Sequence, residues 1–504
     1  MVKKKITFEL LLLLSVFVIA TCGLVYELVA GALASYLLGD SVKQFSFIIG
    51  VYLFSMGVGS YFAKFLKNNL LEKFIEIEIL VGLIGGVSSI LLFLLFNTSQ
   101  HFEWILYFLV FVTGALVGLE IPLLMNILKE KVEFKDLVSN VFAFDYIGAL
   151  LASILFPLVL IPGLGIIRTS LFFGLINIST AIFLSFYLKK DLRNAIALEA
   201  KSIIAFLALL VLFTFADKIL SYSEEKLYGE NIIYSHSSPY QRIVLTRNGK
   251  DFRLYLNNNL QFSSADEYRY HQALVHPAMS MAKKVNNILV LGGGDGFAVR
   301  EILKYKEVQK ITLVDLDQDM TKFFQENVTM KTLNNNALNS PKVTIHNQDA
   351  YLFVRDSKEK YDVIVVDFPD PSNYSLGKLY SLQFYRLLQK ITTPETQIVV
   401  QTTSPYFAPK SFWSIKKTIA EIFPVATPFH TYVPSFGEWG FCLASNQNAG
   451  NHIYRKISGL KFYDYNFSEL TKFSKDMKAE NVEVNRLDNQ ILVRYFDEEW
   501  GKVQ

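Results

Sequence analysis

Apolar residues follow two rhythms along this chain. Up to about residue 217 they form long unbroken runs; from Ile232 they form short runs of period two that alternate with stretches of helical period. The long runs cover approximately 7 to 30, 45 to 66, 74 to 97, 104 to 128, 138 to 161, 167 to 188 and 202 to 217. A bilayer crossing takes roughly 20 apolar residues. The pattern therefore predicts an N-terminal all-α multi-span transmembrane bundle of about 7 helices over residues 1–217. The first run is too long, and followed by too many others, to be a cleaved signal peptide. The seventh is short, and fits either a span or a segment lying in the membrane interface.

After a linker read at Asp217 to Glu230, "IIYSHSSPYQRIVLTR" and "FRLYLNNNLQF" predict a small antiparallel β unit turning at Asn-Asn-Asn. In "ADEYRYHQALVHPAMSMAKK" the residues Tyr270, Leu274 and Met279 recur at helical spacing, so 218–285 reads as linker, β unit and connecting helix. Over 286–504, strand-like runs such as "NILVLGGG", "KITLVDLD", "YDVIVVDFPDP" and "TQIVVQTT" alternate with helical ones. That alternation predicts an α/β Rossmann-like domain of the methyltransferase type, a mostly parallel sheet with helices on both faces.

Charge placement adds an orientation. Lys3, Lys4 and Lys5 precede the first run; Lys64, Lys67 and Lys73 follow the second; Lys129, Lys131 and Lys135 the fourth; Lys189, Lys190, Arg193 and Lys201 the sixth. The alternate loops carry little beyond Lys43 and Arg168, so the N-terminus is expected in the cytoplasm of a multi-pass inner-membrane protein. A net charge of +3 over 504 residues points to no particular partner, and no basic cluster interleaved with aromatics suggests nucleic acid. Cys22 and Cys442 make no disulfide framework. Among the acidic residues of the first half, Glu76 and Glu78 lie near a span end and read as interfacial. Glu27, Glu120 and Asp145 are better embedded, and either hold helices together or line a path for a cationic solute.

The candidate chemistry sits where the parallel strands end, since ligands of such sheets bind outside the carboxyl ends. Gly292-Gly293-Gly294-Asp295-Gly296 follows the first strand, Asp315 and Asp317 the second, Asp349 the third, and Asp367 with Asp370 the fourth. Asp315, about 20 positions after the glycine turn, suits the hydroxyls of a ribose. Phe297 breaks the Gly-x-Gly-x-x-Gly spacing and argues against a nicotinamide dinucleotide, and no Gly-Lys-Ser/Thr follows. Asp349 is equally suited to capping the helix of "NQDAYLFV". Asp295, Asp367 and Asp370 should converge, with no Arg or Lys near them in sequence, so a cation is expected between them. No His or Glu at ligand spacing accompanies them, which favours a polyvalent amine over a metal.

These residues resemble the spermidine synthases, or polyamine aminopropyltransferases, in their membrane-bound multi-span bacterial form. The match runs from about Ile232 to Ser445 through "YQRIVLTR", "LNNNLQFSSADEYRYHQALVHPAM", "ILVLGGGDG", "LVDLDQDM", "VVDFPDPSNYSLGKLYSLQFY" and "TYVPSFGEWGFCLAS". The resemblance implies transfer of an aminopropyl group from decarboxylated S-adenosylmethionine, a cosubstrate, to putrescine or a similar amine, without metal or prosthetic group. By its motifs Asp367 is the proton acceptor and Asp370 an anchor for the amine. Gln241, Asp315, Asp349 and Ala350 match nucleoside-binding positions, and Tyr270, His271, Asp295 and Tyr432 match amine-facing ones. It also implies a homo-oligomer, dimer or tetramer, through the C-terminal half. The physical account agrees: a primary ammonium has a pKa near 10, so presenting the free amine at neutral pH costs about 4 to 5 kcal/mol unless a carboxylate takes the proton.

Asn257-Asn258 stands where the family has Asp-Gly, Asn373-Tyr374 where it has Gly-Pro, Gln272 where it has Glu, and Asp315 where it has Glu. Two alternatives belong to other classes. One is a polyamine transporter or exporter with an amine-binding soluble domain; the other is a methyltransferase, whose cosubstrate carboxylate a fixed Asp295 would oppose.

Overall fold

The computed structural model describes residues 8–38, 41–96, 99, 101–129, 133–447 and 452–502. Lys3, Lys4, Lys5 and Lys131, which entered the charge argument, lie outside them. The chain divides into two compact units, Met1–Ile232 and Ile233–Gln504.

The first unit is helical: α1 (Phe8–Leu38), α2 (Ser41–Phe62), α3 (Leu70–Phe96), α4 (Phe102–Leu128), α5 (Phe134–Leu155), α6 (Ile161–Tyr187) and α7 (Ala195–Tyr228). Among the described residues, six stretches are long and apolar enough to cross a bilayer, and the longest, Lys135–Tyr187, joins α5 to α6 through a π turn and breaks at Gly165, whose φ is 72°. Small residues let α2 and α4 touch: a Cβ at Gly118 would lie 2.2 Å from the Met56 carbonyl oxygen.

Two expectations need correction. The segment Asp217 to Glu230 is not an irregular linker, because α7 runs on to Tyr228 and stops at Gly229, a left-handed cap with φ of 62°. No Gly or Pro interrupts 195–228, and its apolar run begins at Ala195, so the last stretch is not short. Glu78 is not interfacial. Since α3 starts at Leu70, Glu78 lies more than two turns inside and is fully buried, whereas Glu76 pairs with Lys201 near the helix end.

The second unit opens with a four-stranded sheet, β1 (Asn231–Ser237), β2 (Arg242–Asn248), β3 (Asp251–Leu256) and β4 (Asn259–Ser263), in sequential order. The β3–β4 turn is Asn257-Asn258, both left-handed at φ 47° and 66°, while Asn259 already belongs to β4. Asparagine tolerates this conformation, which explains how the pair replaces Asp-Gly. Helix α8 (Glu267–Met281) follows.

The large sheet has seven strands: β5 (Asn287–Gly292), β6 (Lys310–Asp315), β7 (Val343–Asn347), β8 (Tyr361–Asp367), β9 (Thr392–Gln401), β10 (Val425–Val433) and β11 (Gly437–Ser445). Their order is β10-β11-β9-β8-β5-β6-β7, parallel from β9 to β7, with β11 and β10 antiparallel. The helices are α9 (Phe297–Ile302), α10 (Gln318–Glu326), α11 (Val328–Leu333), α12 (Ala350–Asp356), α13 (Tyr374–Gly377), α14 (Leu382–Lys390), α15 (Pro409–Ala420), α16 (Phe467–Leu470) and α17 (Ile491–Trp500). Ile288, Leu289, Val290 and Leu291 of β5 are all fully buried, one pair in the core on each face of the sheet. Each such side chain contributes about 1.5–3 kcal/mol. After β5 the chain builds outward through β6 and β7, then returns to the other side for β8. The crevice at the carboxyl ends of β5 and β8 is therefore the switch point of the sheet.

Candidate active site

The register at the switch point fixes the site. Gly292 ends β5 opposite Asp367, the last residue of β8. A Cβ on Gly292 would lie 2.1 Å from the Asp367 carbonyl oxygen, and its φ of 81° also demands glycine. One on Gly294 would lie 2.7 Å from Asp315 Oδ2, which instead accepts the Gly294 amide at 3.0 Å. The glycines thus bring backbone, Asp315 and Asp367 together around one turn.

Asp367 accepts the Tyr270 hydroxyl at 2.6 Å, and Tyr270 is delivered by α8. The next residue, His271, is 3% exposed and shares its Nδ1 proton between the Glu267 carbonyl and Glu267 Oε2, each at 2.9 Å. Arg300 grips Glu267 with both terminal nitrogens at 2.9 Å. Burial alone would depress His271, but Glu267 beside it, with Asp295 and Asp367, raises it to about 9. His271 is thus an imidazolium at neutral pH, a cation that no Arg or Lys in the motifs announces.

Burial dominates the carboxylates. It pushes Asp367 up to about 6, reinforced by Asp295 and opposed by His271 and the Tyr270 bond. Burial raises Asp370 to about 6 as well, against a bond from Gln401, and Asp315 to about 6 against amide donors from Asp317 and Gly294. Asp295 is raised by burial too, with His271 pulling the other way; its Oδ1 accepts the Phe297 amide at 2.9 Å. Asp295, Asp367 and His271 therefore share one cleft, with Asp370 and Tyr380 close to Tyr270.

The remaining expected residues are placed as follows. Asp349 caps α12 by accepting the Tyr351 amide at 2.7 Å, and its Oδ2 meets Lys378 Nζ at 2.6 Å. Burial works against its ionisation, but Lys378 keeps its carboxyl below the usual carboxylate range. Ala350 is buried at the first position of α12. Gln241 donates to Asp317, not Asp315, at 2.8 Å. Tyr432, on β10, is half exposed, and its carbonyl accepts Arg269 Nε at 2.7 Å.

Sequence reasoning missed Lys378, the Glu267–Arg300 pair and Gln401. Gln401 donates to the Phe368 carbonyl at 2.8 Å and Asp370 Oδ1 at 3.1 Å, and accepts the Thr403 amide at 2.8 Å. It ends β9 at the same sheet edge as the aspartates, a position that could have flagged it. Gln272, the neutral stand-in for a glutamate, accepts the amides of Phe462 and Tyr463, so it anchors the C-terminal segment behind α8.

Chemically, Asp295, Asp367 and Asp370 gather buried carboxyls at the end of the sheet, and the glycine turn leaves its backbone free of side chains beside Asp315. A spermine/spermidine synthase domain matches residues 267–456. A polyamine aminopropyltransferase of Leptospira interrogans is 49% identical over 98% of this chain and 99% of its own length. Two polyamine aminopropyltransferases of Ralstonia nicotianae are each 50% identical over 98% of this chain, and over 98% and 96% of their own lengths. These alignments include the helical half.

Proposed function

This chain belongs to the polyamine aminopropyltransferase family, and on that premise we propose that Asp367 is its general base and a putrescine-like diamine its acceptor. It is a transferase, with decarboxylated S-adenosylmethionine as cosubstrate. Asp370 anchors one ammonium of the diamine, and the other end, at Asp367, loses its proton as the nitrogen attacks the methylene next to sulfur. The sulfonium is already an activated leaving group, so alignment and proton removal are the protein's main tasks. Asp315 receives the ribose, and Asp349 with Ala350 the adenine. Asp295 discriminates between donors: its carboxylate repels a cosubstrate that retains a carboxylate of its own. The Gly292–Asp367 register, with Asp367 at the glycine turn and within electrostatic reach of His271 and Asp295, supports this reading above all. Neither the transporter nor the methyltransferase alternative is favoured by the relatives.

The test is an assay of purified full chain with decarboxylated S-adenosylmethionine and a panel of diamines. Asp367→Asn should lower kcat by about 10²–10⁴, the usual contribution of a general base, while leaving nucleoside affinity nearly intact. Turnover at the wild-type rate would remove Asp367 from this role.

Membrane anchoring by the first unit is supported by its inverted polarity. Trp104, Phe54 and Ile204 are 75%, 67% and 68% exposed, while Glu78 and Glu120 are buried. A helical unit with that distribution is stable where its outer surface meets lipid.

A further inference from the structure

The helical unit holds a polar cluster that aminopropyl transfer does not use. Glu78 on α3 and Glu120 on α4 are 0% and 4% exposed, and their carboxyls stand within hydrogen-bonding reach of each other. Asn177 on α6, fully buried, donates through Nδ2 to Glu78 Oε2 at 3.1 Å and to the Glu78 carbonyl at 3.3 Å. Yet Oε1 of each glutamate, Oδ1 of Asn177 and the hydroxyl of Tyr26 on α1 are buried without a hydrogen-bond partner. Tyr26, 4% exposed, lies within electrostatic reach of both carboxyls.

No protein cation balances the pair among the described residues. Facing it are Cys22 and Tyr26 from α1, Tyr52 from α2 and Asp145 from α5, none of them positive. The α6 helix brings the neutral Asn177, and the lysine that α7 turns toward α3, Lys201, is engaged by Glu76 at 2.8 Å. Two carboxyls in contact inside an apolar bundle cannot both ionise, so a positive charge must accompany them. A metal ion or an amine needs room between the carboxyls, and these stand within hydrogen-bonding reach of each other. A proton fits between two oxygens at hydrogen-bond distance and serves both at once.

We propose that Glu78 and Glu120 form a proton-binding site inside the N-terminal helical unit, with a proton held between the two carboxyls. Half-buried Asp145 acts on Glu120, and half-buried Glu27 acts on Tyr52, which itself acts with Glu120. These groups give the proton a titratable way out toward the surface of the unit. The site is independent of the chemistry in the second unit, so the failure of either reading leaves the other intact.

Infrared spectroscopy of the full chain in lipid nanodiscs tests it. At pH 8 the difference spectrum between wild type and the isosteric double variant Glu78→Gln/Glu120→Gln should contain a protonated-carboxyl C=O stretch, with aminopropyl transfer retained by the variant. A difference spectrum without that band overturns the proposal. So does loss of the wild-type band at pH 8 when sodium chloride or spermidine is added, which would make the site one for a larger cation. If the double variant does not fold, wild type is treated with dicyclohexylcarbodiimide, which attacks protonated carboxyls, and peptides are mapped by mass spectrometry. Adducts at Glu78 or Glu120 at pH 8 support the shared proton; adducts confined to exposed carboxyls such as Asp217 overturn it.

Discussion

The 2.6 Å bond from Tyr270 to Asp367 sets a measurable pH. The bond favours the ionised carboxylate, and burial has already brought that carboxyl to about 6. Tyr270→Phe removes the donor, so the carboxyl moves further up and a base that must be ionised is lost at higher pH. With a neutral hydrogen bond worth about 1 kcal/mol and a pH unit about 1.4 kcal/mol, the acid limb of kcat/KM should move up by somewhat less than one pH unit. An unmoved limb would show that Tyr270 does not tune Asp367. At this scale the carboxylates were legible in the sequence because they close strands, where ligands bind. Their partners were not. His271 matches an amine-facing position by its motif, but its charge could not be read there, because it depends on Glu267, Asp295 and Asp367, and Glu267 is itself held by Arg300 from 33 positions away.

Among the elements, α13 and the turn after it carry the unexpected Lys378. Its ammonium occupies Asp349 Oδ2, an oxygen of the carboxyl proposed to receive the adenine. The pair is about a third exposed on each side, at 33% and 27%, so it is worth roughly 0.2–1 kcal/mol. Lys378→Met should lower the donor KM by roughly 1.4- to five-fold and leave kcat nearly unchanged. A raised KM would instead make Lys378 part of the donor's own binding surface. The C-terminal segment braces this element: Asn485 donates to the Gly377 carbonyl at 2.9 Å and its own carbonyl accepts the Leu382 amide at 2.8 Å. The mostly parallel strands and the glycine turn could be read from the sequence, since buried parallel strands announce themselves as apolar runs; their spatial order could not. The continuation of α7 past Asp217 could not, because its charged last turns look like a linker until the absence of Gly and Pro is weighed.

For the whole molecule, topology and chemistry constrain each other. If the long Lys135–Tyr187 stretch crosses twice because it breaks at Gly165, the helices cross seven times and leave the C-terminal half opposite a cytoplasmic N-terminus. The donor is made in the cytosol, so a reporter fused to the C-terminus should read cytoplasmic, with one of the seven helices failing to cross. An extracytoplasmic reading would detach this half from its donor and sink the proposed activity. Asp367 and Asp370, each near 6, have a further consequence. At mildly acidic pH the empty cleft carries protons, and a diammonium ligand arriving among these carboxylates must expel them. Titration calorimetry of putrescine at pH 6.5 should therefore give an apparent enthalpy that changes with the ionisation enthalpy of the buffer, its slope counting the protons released. That slope should shrink toward zero by pH 8, where the cleft has already emptied itself into the solvent.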